Sequence, residues 1–247
     1  MRKLSFVLLL VAALATPALA GEVRVGATYG PYQTGSGGEF TVIAVTGFDT
    51  SHYALGTTSN VGGIVNSFQT FCIENSSPPE YIYTNTSYRA ELSRNAVNGG
   101  PGAGADGDPI SVGTGWLYSQ FATGSWQNGL SYNYGANRSV SAEAFQKTIW
   151  WLEGEGGLAY SAGNMYMAAV VAKFSSACAP ADLACAQAAA KANGGWNYGV
   201  YAINMWDKGT GGLRQDQLFY VPDGGTTLTL LGGALMGLAS LRRRFNA

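Results

Sequence analysis

Three cysteines are the residues of this chain best suited to covalent chemistry, and they fall into two groups. Cys178 and Cys185 lie seven positions apart, on either side of Pro180. Cys72 lies far upstream, in the strand-like stretch SFQTFCIENSS at 67–77. A thiol can join a disulfide, attack a carbonyl carbon as a thiolate, or remain buried as a small apolar side chain. The compartment decides among these, because disulfides persist in exported proteins.

Residues 1–20, MRKLSFVLLLVAALATPALA, predict that the chain is exported. Arg2 and Lys3 precede a short apolar run, and small residues end the segment at Ala18-Leu19-Ala20. This order is typical of a secretory signal peptide that is cleaved after Ala20. The apolar run is short for a helix that crosses a bilayer, so a membrane anchor is the weaker interpretation.

The chain ends in a second segment with a recognisable order, residues 221–247. An uncharged stretch at 226–241 is close to the length of a membrane-spanning helix, and the arginines after it would remain cytoplasmic. A short motif precedes the stretch and an arginine cluster follows it, and the residues concerned are Val221, Pro222, Asp223, Gly224, Gly225, Arg242, Arg243 and Arg244.

This three-part tail resembles the PEP-CTERM class of sorting signals, in its variant with a Val-Pro-Asp motif. The resemblance implies a Gram-negative bacterium whose exosortase processes the tail near Pro222. The precursor would then be held in the inner membrane, and the product would reach the cell surface or the extracellular matrix. An ordinary C-terminal anchor is the alternative, and it predicts the same topology.

Residues 21–220, between the two sorting segments, predict an extracytoplasmic globular domain. They contain nine Lys and Arg against fourteen Asp and Glu, a net charge of −5. Nucleic-acid binding is excluded, because it requires clustered positive charge.

The order of local patterns predicts an α+β domain with a largely antiparallel sheet or sandwich and a helical insertion. A Gly-rich stretch at 95–109 is expected to be a mobile loop, and Ser141 is expected to cap a helix. The predicted strands are 22–29, 38–48, 64–74, 80–88, 197–206 and 216–221, and the predicted helices are 112–124, 141–155 and two within 164–195.

The positions of the cysteines predict one disulfide and leave one thiol to explain. Cys178 and Cys185 flank a predicted corner between two helices, so we expect them to pair. Cys72 then has no cysteine partner within the chain. It can be an inert buried thiol, it can join two chains in a disulfide, or another covalent bond within the domain can protect it.

For the third alternative, a covalent bond within the domain, the stretch FQKTIWWLE offers Gln146 as the partner of Cys72. In this stretch Gln146 precedes Ile149 and Trp150. Together with Phe71-Cys72-Ile73, this pattern resembles the thioester adhesion domains of bacterial surface proteins. The resemblance implies a bond between the Cys72 sulfur and the side-chain carbonyl carbon of Gln146, which an amine or a hydroxyl of a target would attack. Phe71, Trp150 and Trp151 would shield this bond from water.

These patterns predict a non-enzymatic surface adhesin that links itself to a protein amine or a surface polysaccharide, without metal or cofactor. The alternative is a structural or carbohydrate-binding matrix component with an inert Cys72. A catalytic set is not recognisable, because His52 is the only histidine and no nucleophile elbow accompanies it. Asp106 and Asp108 are expected in a solvated loop, and Glu153 and Glu155 at a solvated helix end.

Overall fold

The computed structural model describes residues 20–26, 37–75, 80–98 and 104–222. Both predicted sorting segments, 1–20 and 221–247, fall almost entirely outside these ranges. Among the described residues, no helix is long and apolar enough to cross a membrane. The predicted membrane helix at 226–241 lies outside the described residues, as does the middle of the Gly-rich stretch.

An antiparallel sheet of six strands forms one layer of the domain. Its strand order is β3-β2-β1-β4-β7-β8, which places β3 and β8 at the two ends of the order. The strands are β1 (Ala20–Val25), β2 (Phe40–Thr46), β3 (Ser67–Thr70), β4 (Ser87–Ser93), β7 (Val200–Asp207) and β8 (Leu213–Tyr220). Two short strands, β5 (Asn95–Ala96) and β6 (Asp108–Pro109), form a separate pair.

Four α-helices lie between β6 and β7 in the chain, so the predicted α+β class with a helical insertion is confirmed. They are α1 (Val112–Thr123), α2 (Arg138–Leu152), α3 (Met165–Phe174) and α4 (Leu183–Ala190). The side chain of Ser111 accepts a hydrogen bond from the Thr114 N–H and so caps α1. Gly124 ends the same helix in the left-handed conformation, which glycine adopts without strain.

Aromatic side chains fill the space between the sheet and the helices. The Phe145 ring of α2 lies 4.6 Å from Phe71, 5.3 Å from Phe121 and 5.1 Å from Tyr166, measured between ring centroids. All four residues are fully buried. Edge-to-face and tilted pairs of this kind fix the position of α2 against the segment that follows β3.

Three local predictions were wrong. The strand predicted at 80–88 begins only at Ser87, and the central strand β4 continues to Ser93. Helix α2 begins three residues before Ser141, whose hydroxyl instead accepts a hydrogen bond from the Asn133 N–H. The stretch predicted as one loop at 95–109 contributes β5 and β6 at its two ends, because Ala96 is buried there.

Candidate functional site

Cys72 lies just after β3, where the chain runs beside β8. Its neighbours form main-chain hydrogen bonds with β8. The Ile73 N–H donates to the main-chain oxygen of Asp216 at 3.1 Å, and the Leu218 N–H donates to the main-chain oxygen of Phe71 at 3.2 Å. Cys72 and Gln217 are opposite partners in this pairing. Cys72 is completely buried, so its thiol cannot reach a second chain, and this argues against a disulfide between two chains.

Gln146 reaches Cys72 from helix α2, and both the nitrogen and the oxygen of its side-chain amide form hydrogen bonds there. Its Nε2 donates to the Cys72 carbonyl oxygen at 2.8 Å. Its Oε1 accepts two main-chain hydrogen bonds, from the Cys72 N–H at 3.0 Å and from the Gly38 N–H at 2.9 Å. Two N–H groups that converge on one carbonyl oxygen polarise the C=O bond and stabilise negative charge on the oxygen. An attack on the Gln146 carbonyl carbon would place its developing negative charge on this oxygen.

The two glycines before β2 allow this close approach. A Cβ atom on Gly37 would lie 2.5 Å from the Cγ atom of Gln146 and 2.9 Å from the Cη2 atom of Trp150. A Cβ atom on Gly38 would lie 3.0 Å from the main-chain oxygen of Thr70. Only glycine therefore lets this segment pass between β3 and α2 without displacing the Gln146 side chain.

A second glutamine amide contacts the sulfur itself. The Nε2 of Gln217 donates to the Cys72 Sγ at 3.3 Å, and the Gln217 side chain is completely buried. Burial raises the pKa of the Cys72 thiol far above its usual range, and the Gln217 hydrogen bond opposes that rise. Sequence reasoning missed Gln217, because nothing in the local pattern of β8 points to residue 72.

The three predicted shielding residues occupy different places. Trp150 packs with Gln146 against Gly37, so the structure brings it to the predicted bond. Phe71 is buried with its ring 5.1 Å from that of Phe121, in the aromatic core beneath the site. The Trp151 ring instead lies 5.7 Å from that of Tyr160 and beneath the ammonium of Lys191.

A buried ion pair fixes the segment that contributes the Gly38 N–H. Glu39 is completely buried, and its carboxylate accepts from Arg138 Nε at 3.0 Å, from Arg138 Nη2 and from the Tyr132 hydroxyl at 2.7 Å. Burial raises the pKa of Glu39, and the Arg138 guanidinium opposes this rise. Because Arg138 begins helix α2, the ion pair links the segment that contains Gly38 to the helix that carries Gln146.

Glu153 and Glu155 are buried, so the prediction that they mark a solvated helix end was wrong. Glu153 accepts hydrogen bonds from the Ser111 hydroxyl at 2.8 Å and from the Thr114 hydroxyl, at the start of α1. Glu155 accepts from the Asn75 N–H at 3.1 Å. Burial raises the pKa of Glu153 to about 7, although both hydroxyl bonds lower it.

The other predicted residues lie away from Cys72. The disulfide between Cys178 and Cys185 is present, with the Cα atoms 5.9 Å apart. His52 is partly exposed in a loop, with its Nε2 3.5 Å from Asp49 Oδ2. Within the part of the chain that the structure describes, no three His, Cys, Asp or Glu side chains converge as a metal site.

Comparison with known proteins identifies the tail of the chain and not its middle. No curated protein and no solved structure matches the chain. The thioester-domain resemblance gains no support from these comparisons and depends on the residues and their placement alone. A family model described as the VPDSG-CTERM motif matches residues 220–245, which confirms the predicted tail as a sorting signal of the PEP-CTERM kind. The chain is therefore that of an exported protein, with a membrane-anchored precursor that exosortase-like machinery sorts.

Proposed function

We propose that Cys72 and Gln146 form an internal thioester and that the exported protein uses it to attach itself covalently to a target. On this proposal the protein is a surface adhesin that reacts once, without turnover. Its location would be the surface or the matrix of a Gram-negative cell. The targets would be amines of proteins or hydroxyls of surface polysaccharides.

One observation carries the proposal: the Gln146 carboxamide is held against Cys72 with its oxygen between two main-chain N–H groups. The donors are Gly38 and Cys72 itself, at 2.9 and 3.0 Å. The Gly38 N–H is a second donor to this oxygen, in addition to the pairing of Gln146 with the main chain of Cys72. This arrangement supports a role for the carbonyl carbon as an electrophile.

Formation of the thioester balances without an added reagent. The Cys72 sulfur attacks the Gln146 Cδ, the C–Nε2 bond breaks, and the nitrogen leaves as ammonia with the proton of the thiol. The product is an acyl bond between sulfur and carbon. A target amine then attacks the same carbon, and the C–S bond breaks. The sulfur keeps the electron pair of that bond and takes up the proton that the amine loses, so that Cys72 is again a thiol and the target remains bound to residue 146 through an amide.

A second function remains a candidate, because the same contacts would also suit a structural glutamine. The Nε2 and Oε1 of Gln146 satisfy both main-chain polar groups of Cys72, as a neighbouring strand would. On this alternative, the protein is a structural or carbohydrate-binding matrix component, and Cys72 is an inert apolar side chain.

Mass spectrometry separates the two functions. Thioester formation lowers the mass of the intact chain by about 17 Da beyond the loss due to the disulfide. Reaction with methylamine then leaves a methylated amide at residue 146, which raises the mass of the tryptic peptide 139–147 by about 14 Da. This peptide ends at Lys147 and does not contain the sorting tail, so tail processing does not affect the result.

Two variants provide the controls. Gln146→Ala should abolish the mass deficit and the methylamine label. Gln120→Ala should leave both unchanged, because Gln120 is a buried helical glutamine whose Nε2 donates to Trp116. A native chain with its full mass and no label on 139–147, whose Cys72 is alkylated once the chain is unfolded, would refute the thioester.

A further inference from the structure

A groove on the outer face of the sheet takes no part in the proposed thioester. Glu22 of β1, Arg89 of β4 and Trp206 of β7 are cross-strand partners and form one row across the three strands. Successive side chains of a strand point to opposite faces, and both neighbours of Arg89 in β4 are completely buried. The row therefore faces away from the core. Together with the turn after β7, it lines a groove of about 340 Å³, and sites for small ligands measure about 300–1,000 Å³.

Arg89 lies in this groove with its charge uncompensated. Its guanidinium lies over the Trp206 ring, 4.7 Å from the ring centroid, and the attraction between cation and ring holds the group in place. Among the described residues, no hydrogen bond and no ion pair engages this exposed guanidinium. The N–H groups of a guanidinium form a planar fork that matches the two oxygens of a carboxylate. Arg89 is therefore oriented to bind an anionic group.

The other charges of the groove are paired with one another. Lys208 Nζ lies 2.8 Å from Glu22 Oε2, and Arg214 Nη2 lies 3.1 Å from Asp207 Oδ2. Asp207 Oδ1 also accepts two main-chain N–H groups of the turn after β7, each at 2.9 Å. Ionised carboxylates accept several hydrogen bonds each, so Glu22 and Asp207 can also bind hydroxyl groups of a ligand. One free cation beside an aromatic ring and two hydroxyl acceptors defines the chemistry of the groove.

We propose that this groove binds an acidic polysaccharide through one of its uronate units. The carboxylate of the sugar binds the guanidinium fork of Arg89, the apolar C–H groups of the sugar ring contact Trp206, and ring hydroxyls donate to Glu22 and Asp207. The contact is non-covalent and does not rest on the thioester, and it is compatible with both the adhesin and the matrix component.

The same charges disfavour other anions. A phosphate group carries more negative charge than a single carboxylate, and Glu22 and Asp207 repel the excess. A peptide of acidic residues supplies carboxylates but no hydroxyl donors for these two side chains. Residues 21–220 carry a net charge of −5, so the remaining surface does not attract an acidic polymer. Binding therefore depends on the groove, and a single substitution there tests it.

The first test is calorimetric titration of the exported full chain with short oligosaccharides of galacturonate, glucuronate and mannuronate. At least one of the three should bind, and dilution should reverse the binding. Its methyl ester, which has lost the negative charge, should bind about tenfold more weakly or worse, because charge-assisted hydrogen bonds to Arg89 are lost. A glutamate peptide with the same number of carboxylates should also bind about tenfold more weakly or worse.

The second test compares two arginines that stack on tryptophans. Arg89→Gln should weaken binding of the acidic oligosaccharide about tenfold or more, since it removes the charge and the fork together. Arg94→Gln is the matched control and should leave binding unchanged. The Arg94 guanidinium lies 5.1 Å from the ring centroid of Trp196, in a similar stack outside the groove. Both arginines are exposed, so the domain should remain folded in both variants.

Four results would overturn the proposal. They are no binding of any of the three oligosaccharides, equal binding of an acid and its methyl ester, equal binding of the glutamate peptide, and an Arg89→Gln chain that binds no more weakly than Arg94→Gln. In each case the thioester stands, because its evidence is the mass deficit and the label on 139–147. A chain that binds the acid through Arg89 but has its full mass would overturn the thioester alone.

Discussion

The side-chain amide of Gln146 is hydrogen-bonded to both main-chain polar atoms of Cys72, although 74 positions separate the two residues in the chain. One helix residue thus takes the place that a neighbouring strand would occupy beside Cys72. On its other side, the same segment pairs with β8 in the ordinary antiparallel way. These hydrogen bonds hold the carboxamide of Gln146 against Cys72, whose thiol is buried. The residues around the two can be tested by substitution.

Gly37→Ala should displace the Gln146 side chain. The new Cβ atom would lie 2.5 Å from the Cγ atom of Gln146, which is closer than atoms pack without moving. We expect a loss of about 1–3 kcal/mol in the free energy of unfolding and little or no methylamine label on 139–147. Gly104→Ala is the control, since a Cβ there meets no atom within 4 Å. An unchanged label in Gly37→Ala would contradict the assigned packing.

Gln217→Ala should slow the reaction of the thioester with methylamine, and the label should still appear on residue 146. The variant removes the N–H group that donates to the Cys72 Sγ, and a charge-assisted hydrogen bond of this kind is worth about 1.5–3 kcal/mol. We therefore expect labelling of residue 146 about tenfold slower or more. Peptide mapping checks the partner, because a label on the tryptic peptide that begins at Gln215 would make Gln217 the acyl donor.

Glu39→Gln should destabilise the whole domain. It leaves the buried guanidinium of Arg138 without its carboxylate, and breaking a buried pair on one side costs about 3–5 kcal/mol. The control is Glu143→Gln, which breaks the exposed pair between Glu143 and Lys147 and should cost less than about 1 kcal/mol. Urea unfolding measures both variants. A cost for Glu39→Gln no larger than that for Glu143→Gln would show that the ion pair does not hold the Gly38 segment.

Glu153 should make the domain less stable as the pH rises. Its pKa is about 7 in the folded chain against an ordinary value of 4.5, so the folded state retains the proton that the unfolded state loses. The stabilising contribution is complete below pH 4.5 and is lost as the pH rises to about 7, and it is on the order of 3 kcal/mol.

The measurement compares urea unfolding of the wild type and of Glu153→Gln between pH 4 and pH 8. The variant cannot ionise at this position, so the difference between the two free energies of unfolding should change across this range. The wild type should lose stability relative to the variant as the pH rises. Parallel curves would mean that the Glu153 pKa is not raised.

Local patterns predicted the parts of this fold that depend on neighbours in the chain. Helical spacing identified α1 and α2, and the Pro180 break between two Ala-rich stretches placed α3, α4 and the Cys178–Cys185 disulfide. Strand β4 was displaced in the prediction because its Arg, Ala and Glu residues have weak strand preference. Pairing with both β1 and β7 overrides that preference.

Of the residues at the site, the sequence predicted only that Cys72 and Gln146 would lie together. That prediction came from the resemblance to thioester domains and not from the spacing of the residues. Gly38 contacts Gln146 and Gln217 contacts Cys72 from segments that are distant in the chain, so these contacts depend on tertiary placement. The burial of Glu153 could not be predicted for the same reason, since residues at the start of α1, which are distant in the chain, cover it. A local pattern cannot report which distant element will cover a carboxyl group.

Strand β8 has one further consequence, which is mechanical. It supplies Gln217 to the Cys72 sulfur and ends at Tyr220, where the matched sorting motif begins. While the precursor is anchored in the membrane, any tension on its tail enters the domain along β8. Force on the tether and the environment of the buried thiol are therefore coupled through a single stretch of backbone, so that pulling on the anchor acts directly on the strand that holds the sulfur.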